Sequence, residues 1–197
     1  MYLRTDEEAE AANAMQMAAR FSDDLERDAR LWRWVIIALH NAAQGVMVLS
    51  LRHGNGLLAL TDECFKQWME AHENRTPYPE EKLDSYLNLY KKVKHTETGR
   101  IGGNQRFVAK GAEGGHIKRL NTLRNEFIHF TPKGWSLEVN GLPQICCDVS
   151  RLISFLGWET HNVLWHSGQS KAEAMAAHGQ FVNAMQRLDQ HYAKNAA

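Results

Sequence analysis

Leu123-Arg124-Asn125-Glu126-Phe127-Ile128-His129-Phe130-Thr131-Pro132 brings an Arg, an Asn and a His to the end of a helix. Upstream, Ile117, Leu120 and Leu123 recur with Phe127 and Ile128 at helical spacing, which predicts a helix starting near Ala112 or His116. Pro132 disfavours helical geometry at Thr131, so the helix is expected to stop by His129 or Phe130, and Lys133-Gly134 to turn the chain. Asn125 and His129 are four apart and share a face, so the amide is expected to orient the imidazole. Arg124 and His129 are five apart, about 140° around a straight helix. They meet at one atom if the helix end unwinds, or if a second copy faces the first across a two-fold axis.

These residue types suit phosphodiester chemistry without a metal. His can give or take a proton near neutral pH, at a 2′-hydroxyl or a leaving 5′-oxygen. Arg presents a fixed fork of donors to a phosphate and to the charge that grows in the transition state. The products would be a 2′,3′-cyclic phosphate and a 5′-hydroxyl. The same residues also read as a surface cation and a His capping a helix C-terminus.

Arg124-Asn125-x3-His129 resembles the Arg-(four to six residues)-His motif of the HEPN superfamily, including the polar residue after the Arg. The resemblance implies an all-α, up-and-down helical bundle that dimerises so that two motifs form one cleft. It implies a metal-independent endoribonuclease with a defence or toxin–antitoxin role. His129 would be general acid/base, Arg124 would bind phosphate, and Asn125 would fill the polar position. HEPN toxins paired with nucleotidyltransferases often carry Tyr two residues after the His; here that position is Thr131. Several members are not catalytic, so a HEPN-like module binding RNA, a nucleotide or a partner protein is the alternative. The expected partners are RNA, a second copy with the motif helices at the interface, and an antitoxin or other protein. No cofactor, metal or membrane is expected.

At 197 residues, a single helical domain over 1–197 is the expectation. Net charge is zero, so no global field draws the chain to nucleic acid. The three Cys (Cys64, Cys146 and Cys147) form neither a disulfide framework nor a zinc pattern, which suits a reducing cytoplasm. The acidic start, Met1 to Glu8, does not read as a signal peptide. Val35 to Leu51 is the most apolar run; His40, Asn41 and Gln44 interrupt it, so it reads as a buried helix.

In order, residues 5–20 read as a peripheral amphipathic helix, and Ser22 as the N-cap of a long helix from Asp23 to Arg52. Its centre, His40-Asn41-Ala42-Ala43-Gln44-Gly45, has small residues that allow a close helix approach, with His40 and Gln44 as a buried polar pair. Arg27, Arg30 and Arg33 form a solvated or acid-paired stripe. Further helices are expected at Leu57 to Asn74, with Leu60, Cys64, Phe65, Trp68 and Met69 inward, and at Glu80 to Lys94, with Leu83, Tyr86, Leu87 and Tyr90 inward.

Residues 95–115 read as a flexible, basic, Gly-rich loop. Between 91 and 119 there are eight Lys or Arg against two Glu, a net +6. Arg106, Lys110, Lys118 and Arg119, with Lys133 after the motif, are candidate RNA-backbone contacts, and Phe107 a base-stacking ring. An ordinary solvated loop is the other reading. After the motif, Trp135, Leu137 and Val139 alternate before an Asn140-Gly141 turn: a short extended arm or hairpin that covers the motif or reaches a second subunit. Helices over Pro143 to Ser167 and Lys171 to Lys194 complete the chain. His161, His166 and Glu159 lack metal-ligand spacing.

Overall fold

The computed structural model describes residues 2–52, 55–95, 105–129 and 134–195. They form an all-α bundle of seven helices: α1 (Glu7–Ser22), α2 (Trp32–Leu51), α3 (Asp62–Asn74), α4 (Tyr86–Val93), α5 (Glu113–Ile128), α6 (Leu142–Ser154) and α7 (Gly168–Asn195). No strand is present among the described residues; one isolated antiparallel bridge joins Leu60 and Leu83.

The centre is α2. Val35, Ile36, Leu39, Ala42, Ala43 and Met47 are fully buried, and α1, α4, α5 and α6 pack around it. By length and composition Ala29–Leu51 is apolar enough to cross a membrane, but most of it is buried against the other helices, as a bundle's core helix is.

Unlike the peripheral helix expected, α1 lies in the core between α2 and α7. Asp6 caps it by accepting from the Ala9 N–H (2.8 Å), and Ala11, Ala12, Met15, Ala18 and Ala19 are buried. Alanines give little hydrophobic signal, but their size lets backbones approach. Ala11 meets Gly45 so closely that a Cβ at position 45 would lie 2.9 Å from the Ala11 Cβ.

Ser22 is not an N-cap; it ends α1, its hydroxyl donating to the Ala19 carbonyl (2.7 Å). Asp28 starts the next helix instead, accepting from the Arg30 N–H ahead of the 3₁₀ turn Ala29–Leu31. The three Arg do not form one helical stripe: Arg27 and Arg30 precede α2 and pair with Asp24 (3.2 Å) and Asp28 (2.8 Å), while Arg33 lies over the Trp34 ring (5.2 Å).

Two further helices, at Leu57 to Asn74 and Glu80 to Lys94, are also shorter than their apolar patterns suggested. The first opens as a 3₁₀ turn at Leu57–Ala59, and Thr61 caps α3 by accepting from the Cys64 N–H. This helix sits outside the main core on a small cluster of Leu57, Leu60 and Cys64, backed by Phe65 and Trp68, while Met69 is exposed. The other starts at Tyr86, not Glu80. Lys82 and Asp84 hydrogen-bond through their backbones to Thr61 and Ala59, which holds this stretch extended and leaves Leu83 46% exposed, not inward.

Phe155–Glu159 prolongs α6 as one π turn, and the helix ends there, well short of Ser167. Residues 160–167 are irregular. They are tied down by Glu8, whose carboxylate accepts from the His166 and Ser167 N–H groups (2.8 Å each).

Candidate functional site

The middle turns of the apolar stripe on α5 are as the sequence implied: Ile117, Leu120 and Leu123 are fully buried, and the helix ends at Ile128 with His129 as C-cap. Ile128 departs from the pattern and is exposed. By the 3.6-residue repeat, Arg124 lies on the same inward face as Ile117 and Leu120. Asn125, His129 and Lys118 share a different face, about 100–140° from Arg124, and all three are exposed. Helical phase thus sets Arg124 and His129 apart on α5, and His129 itself, as C-cap, has left helical geometry (φ −97°, ψ 52°).

Asn125 does not orient His129 either. Its Oδ1 accepts from Arg124 Nη1 (3.0 Å), tethering the guanidinium. Among the described residues His129 has only a backbone tie to α5, its N–H donating to the Asn125 carbonyl (2.8 Å). The extended arm after the motif folds back, and Trp135 packs on Phe127 with ring centroids 5.2 Å apart. Leu137 and Val139 rest against the main core. Phe130, Thr131, Pro132 and Lys133, the last a candidate RNA contact, lie outside the described residues.

Behind Arg124 lies a buried polar cluster. His40 on α2 is 2% exposed. Its ring stacks on Tyr86 of α4, centroids 4.0 Å apart at 21°. His40 Nε2 is 3.1 Å from Asn121 Oδ1 on α5. Oδ1 only accepts, so this contact sets the Nε2–H tautomer and leaves Nδ1 a lone pair. Burial pushes the His40 pKa down to about 4; Asn121 and, to a smaller degree, the Asn41 side chain oppose the shift, and the Arg124 charge adds to it. The imidazole is thus neutral at pH 7. The expected His40–Gln44 pair does not form; the partner is 81 residues away. Asn121 was not identified from sequence, and Tyr86 was read only as an inward core residue, which it is. The available signal was positional: Asn121 is three residues before Arg124 on the inward face.

Three buried side-chain atoms in this region have no hydrogen-bond partner: His40 Nδ1, Tyr86 Oη and Arg124 Nε. Arg124 also lines a cavity of about 900 Å³ between α1 and α2, beside Asn41 and Gln44. Phe21 and Trp34 form its aromatic end. Its acidic rim is engaged locally: Asp6 caps α1, Glu7 pairs with Arg52 (3.1 Å), and Glu10 accepts from Thr5.

The basic segment divides. Residues 96–104 lie outside the described residues. Residues 105–112 are anchored instead of free. The Asn162 amide bonds Gln105 through both its backbone groups, and Arg151 donates to the Val108 carbonyl. Phe107 is not a base platform. It is 1% exposed, sits under the Arg151 guanidinium (4.5 Å) and meets Phe155 edge-on (5.5 Å). Arg151 in turn pairs with buried Glu113.

Arg106, Lys110, Lys118 and Arg119 are all exposed. However, Arg106 and Lys110 precede the start of α5, whose first residue lies roughly 24 Å along the helix from His129. Lys92 is held by Asp84 (2.8 Å) and Asp62 (3.4 Å), and Lys94 lies over the Tyr90 ring. Among the described residues no group of three or more His, Cys, Asp or Glu could hold a metal. Burial raises the thiol pKa of Cys146 and takes that of Cys147 to about 11, so neither is an activated nucleophile.

No protein-family model matches the chain, and neither the curated proteins nor the solved structures include a significant match to it.

Proposed function

We propose that the chain is a metal-independent endoribonuclease of the HEPN type, cutting RNA to 2′,3′-cyclic phosphate ends, in a defence or toxin–antitoxin setting. Arg124 binds the scissile phosphate and His129 transfers the proton. The observation that supports this most is the state of Arg124. It is an inward-facing cation at the wall of a large cavity, tethered through one Nη by Asn125, with an unpartnered Nε. A guanidinium tethered through a single Nη keeps further Nη–H donors to offer an incoming phosphate oxygen. His129 is exposed at the end of the same helix, where RNA can reach it. Since the two side chains diverge on one α5, the working site takes Arg124 from one copy and His129 from a second, in a two-fold dimer with the motif helices facing.

One observation favours a non-catalytic module that binds RNA, a nucleotide or a partner protein: Asn125 engages Arg124 and leaves the His129 ring without an orienting partner among the described residues. Incubation with mixed-sequence RNA in EDTA separates the two. Cleavage by wild type that is lost in both Arg124→Ala and His129→Ala, each still folded, supports the nuclease. RNA retention without cleavage supports the module.

A further inference from the structure

The three unpartnered buried atoms around Arg124 do not have equivalent chemistry. Arg124 Nε–H is donor only. His40 Nδ1, with its tautomer set by Asn121, is acceptor only. Tyr86 Oη can be either, but its ring is committed to stacking on His40. Buried polar groups in folded proteins are nearly always paired, so each unpaired one calls for an explanation. A donor from α5 and an acceptor from α2 are left over in the same cluster, and the Arg124 charge acts on the His40 ring.

The His40 side is rigid. The imidazole is clamped by Tyr86 on one face and by Asn121 at Nε2, and it is almost wholly buried. The Arg124 side can move: its guanidinium hangs on a long stem with one hydrogen bond, to exposed Asn125.

We propose that His40 is the positioning residue of Arg124, its Nδ1 accepting the Arg124 Nε–H when a phosphate group occupies the cavity. Docking Nε on this fixed acceptor, with Nη1 released from Asn125, turns the two Nη groups outward as a pair, the bidentate edge that a phosphate mono- or diester takes. Asn121 and Tyr86 act one step further back, fixing the tautomer and plane of the imidazole. This inference rests on Arg124 being a phosphate ligand, but not on RNA being cleaved.

The test uses inorganic phosphate as the probe and three variants that separate the atoms of the ring. His40→Asn keeps an acceptor near the Nδ1 position. His40→Gln keeps a donor toward Asn121 and loses that acceptor. His40→Phe keeps volume and stacking alone. Phosphate affinity is expected to fall about tenfold in His40→Gln and His40→Phe, one hydrogen bond's worth, and to be retained in His40→Asn. In the wild type, adding phosphate should protect the Arg124 Nε–H from exchange and shift the His40 Nδ1 nitrogen resonance as its lone pair takes a hydrogen bond.

Retention of phosphate affinity in His40→Phe would reduce His40 to a packing role and overturn the proposal. So would an unshifted Nδ1 resonance in the wild type, a measurement that survives even if every variant misfolds. Wild type that shows the phosphate-linked changes but cleaves no RNA would leave this proposal standing and remove the nuclease reading.

Discussion

Gly45 gives the sharpest test of how the core is built. Gly→Ala inside a helix ordinarily stabilises by about 1 kcal/mol. Here the new methyl would sit 2.9 Å from the Ala11 Cβ and 3.3 Å from its Cα, against the 3.4–4 Å of ordinary contact. Both obstacles belong to the helical residue Ala11, so neither can swing aside, and α1 must move as a unit. Overpacking of this kind costs about 2–3 kcal/mol. Gly45→Ala is therefore expected to destabilise by about 1–2 kcal/mol, reversing the propensity sign. Ala11→Gly alone should cost about 2 kcal/mol through lost propensity and one buried methyl. Together the two exchange a methyl across one contact, so the double variant should lie near wild type, with a coupling of about 3–4 kcal/mol. Urea denaturation at constant m-value reads all four corners of this cycle. A Gly45→Ala protein stabilised by about 1 kcal/mol, with additive effects, would refute the close approach of α1 and α2.

Acid unfolding should report on His40. Its pKa is near 6.5 when unfolded and about 4 in the bundle, so the folded state resists protonation. That stability is complete above pH 6.5 and is lost as pH falls toward 4, amounting to about 3 kcal/mol. His178, depressed chiefly by burial, adds loss in the same direction. His40→Phe should flatten the pH 4–6.5 limb, and an unchanged limb would contradict the buried, neutral imidazole. Phe107→Ala should destabilise by about 3–5 kcal/mol; weakened RNA binding with unchanged stability would return Phe107 to the surface role read from sequence. Mixing inactive Arg124→Ala with inactive His129→Ala should restore partial cleavage, because one of the two composite sites in each mixed dimer is intact. Absence of restoration would place both residues in the same protomer's site.

The sequence was most informative where the signal was local and apolar. Ile117, Leu120 and Leu123 marked the inward face of α5, and Pro132 marked its end. The small residues around Gly45 announced a close contact, although not with which helix. The errors arose where long-range contacts outweighed local pattern. Ala-rich α1 looked peripheral because its burial depends on small size more than hydrophobicity. Ser22 looked like a cap because Asp23 and Asp24 follow it, but those acids begin a turn and Asp28 does the capping. Phe107 looked exposed among glycines, yet Arg151 and Phe155, more than forty residues on, enclose it. His40 was matched to Gln44 by spacing, whereas its partner, Asn121, comes from another helix. The candidate site shows the same limit. Spacing already implied that Arg124 and His129 diverge, but only packing reveals that Arg124 faces inward to a polar cluster.

The most direct measurement is the chemistry of the cut ends. RNA treated with the protein in EDTA would be analysed by mass spectrometry for its termini. The account predicts 2′,3′-cyclic phosphate and 5′-hydroxyl ends that disappear in His129→Ala. Intact RNA, 3′-hydroxyl ends, or cyclic ends that persist in His129→Ala would contradict it.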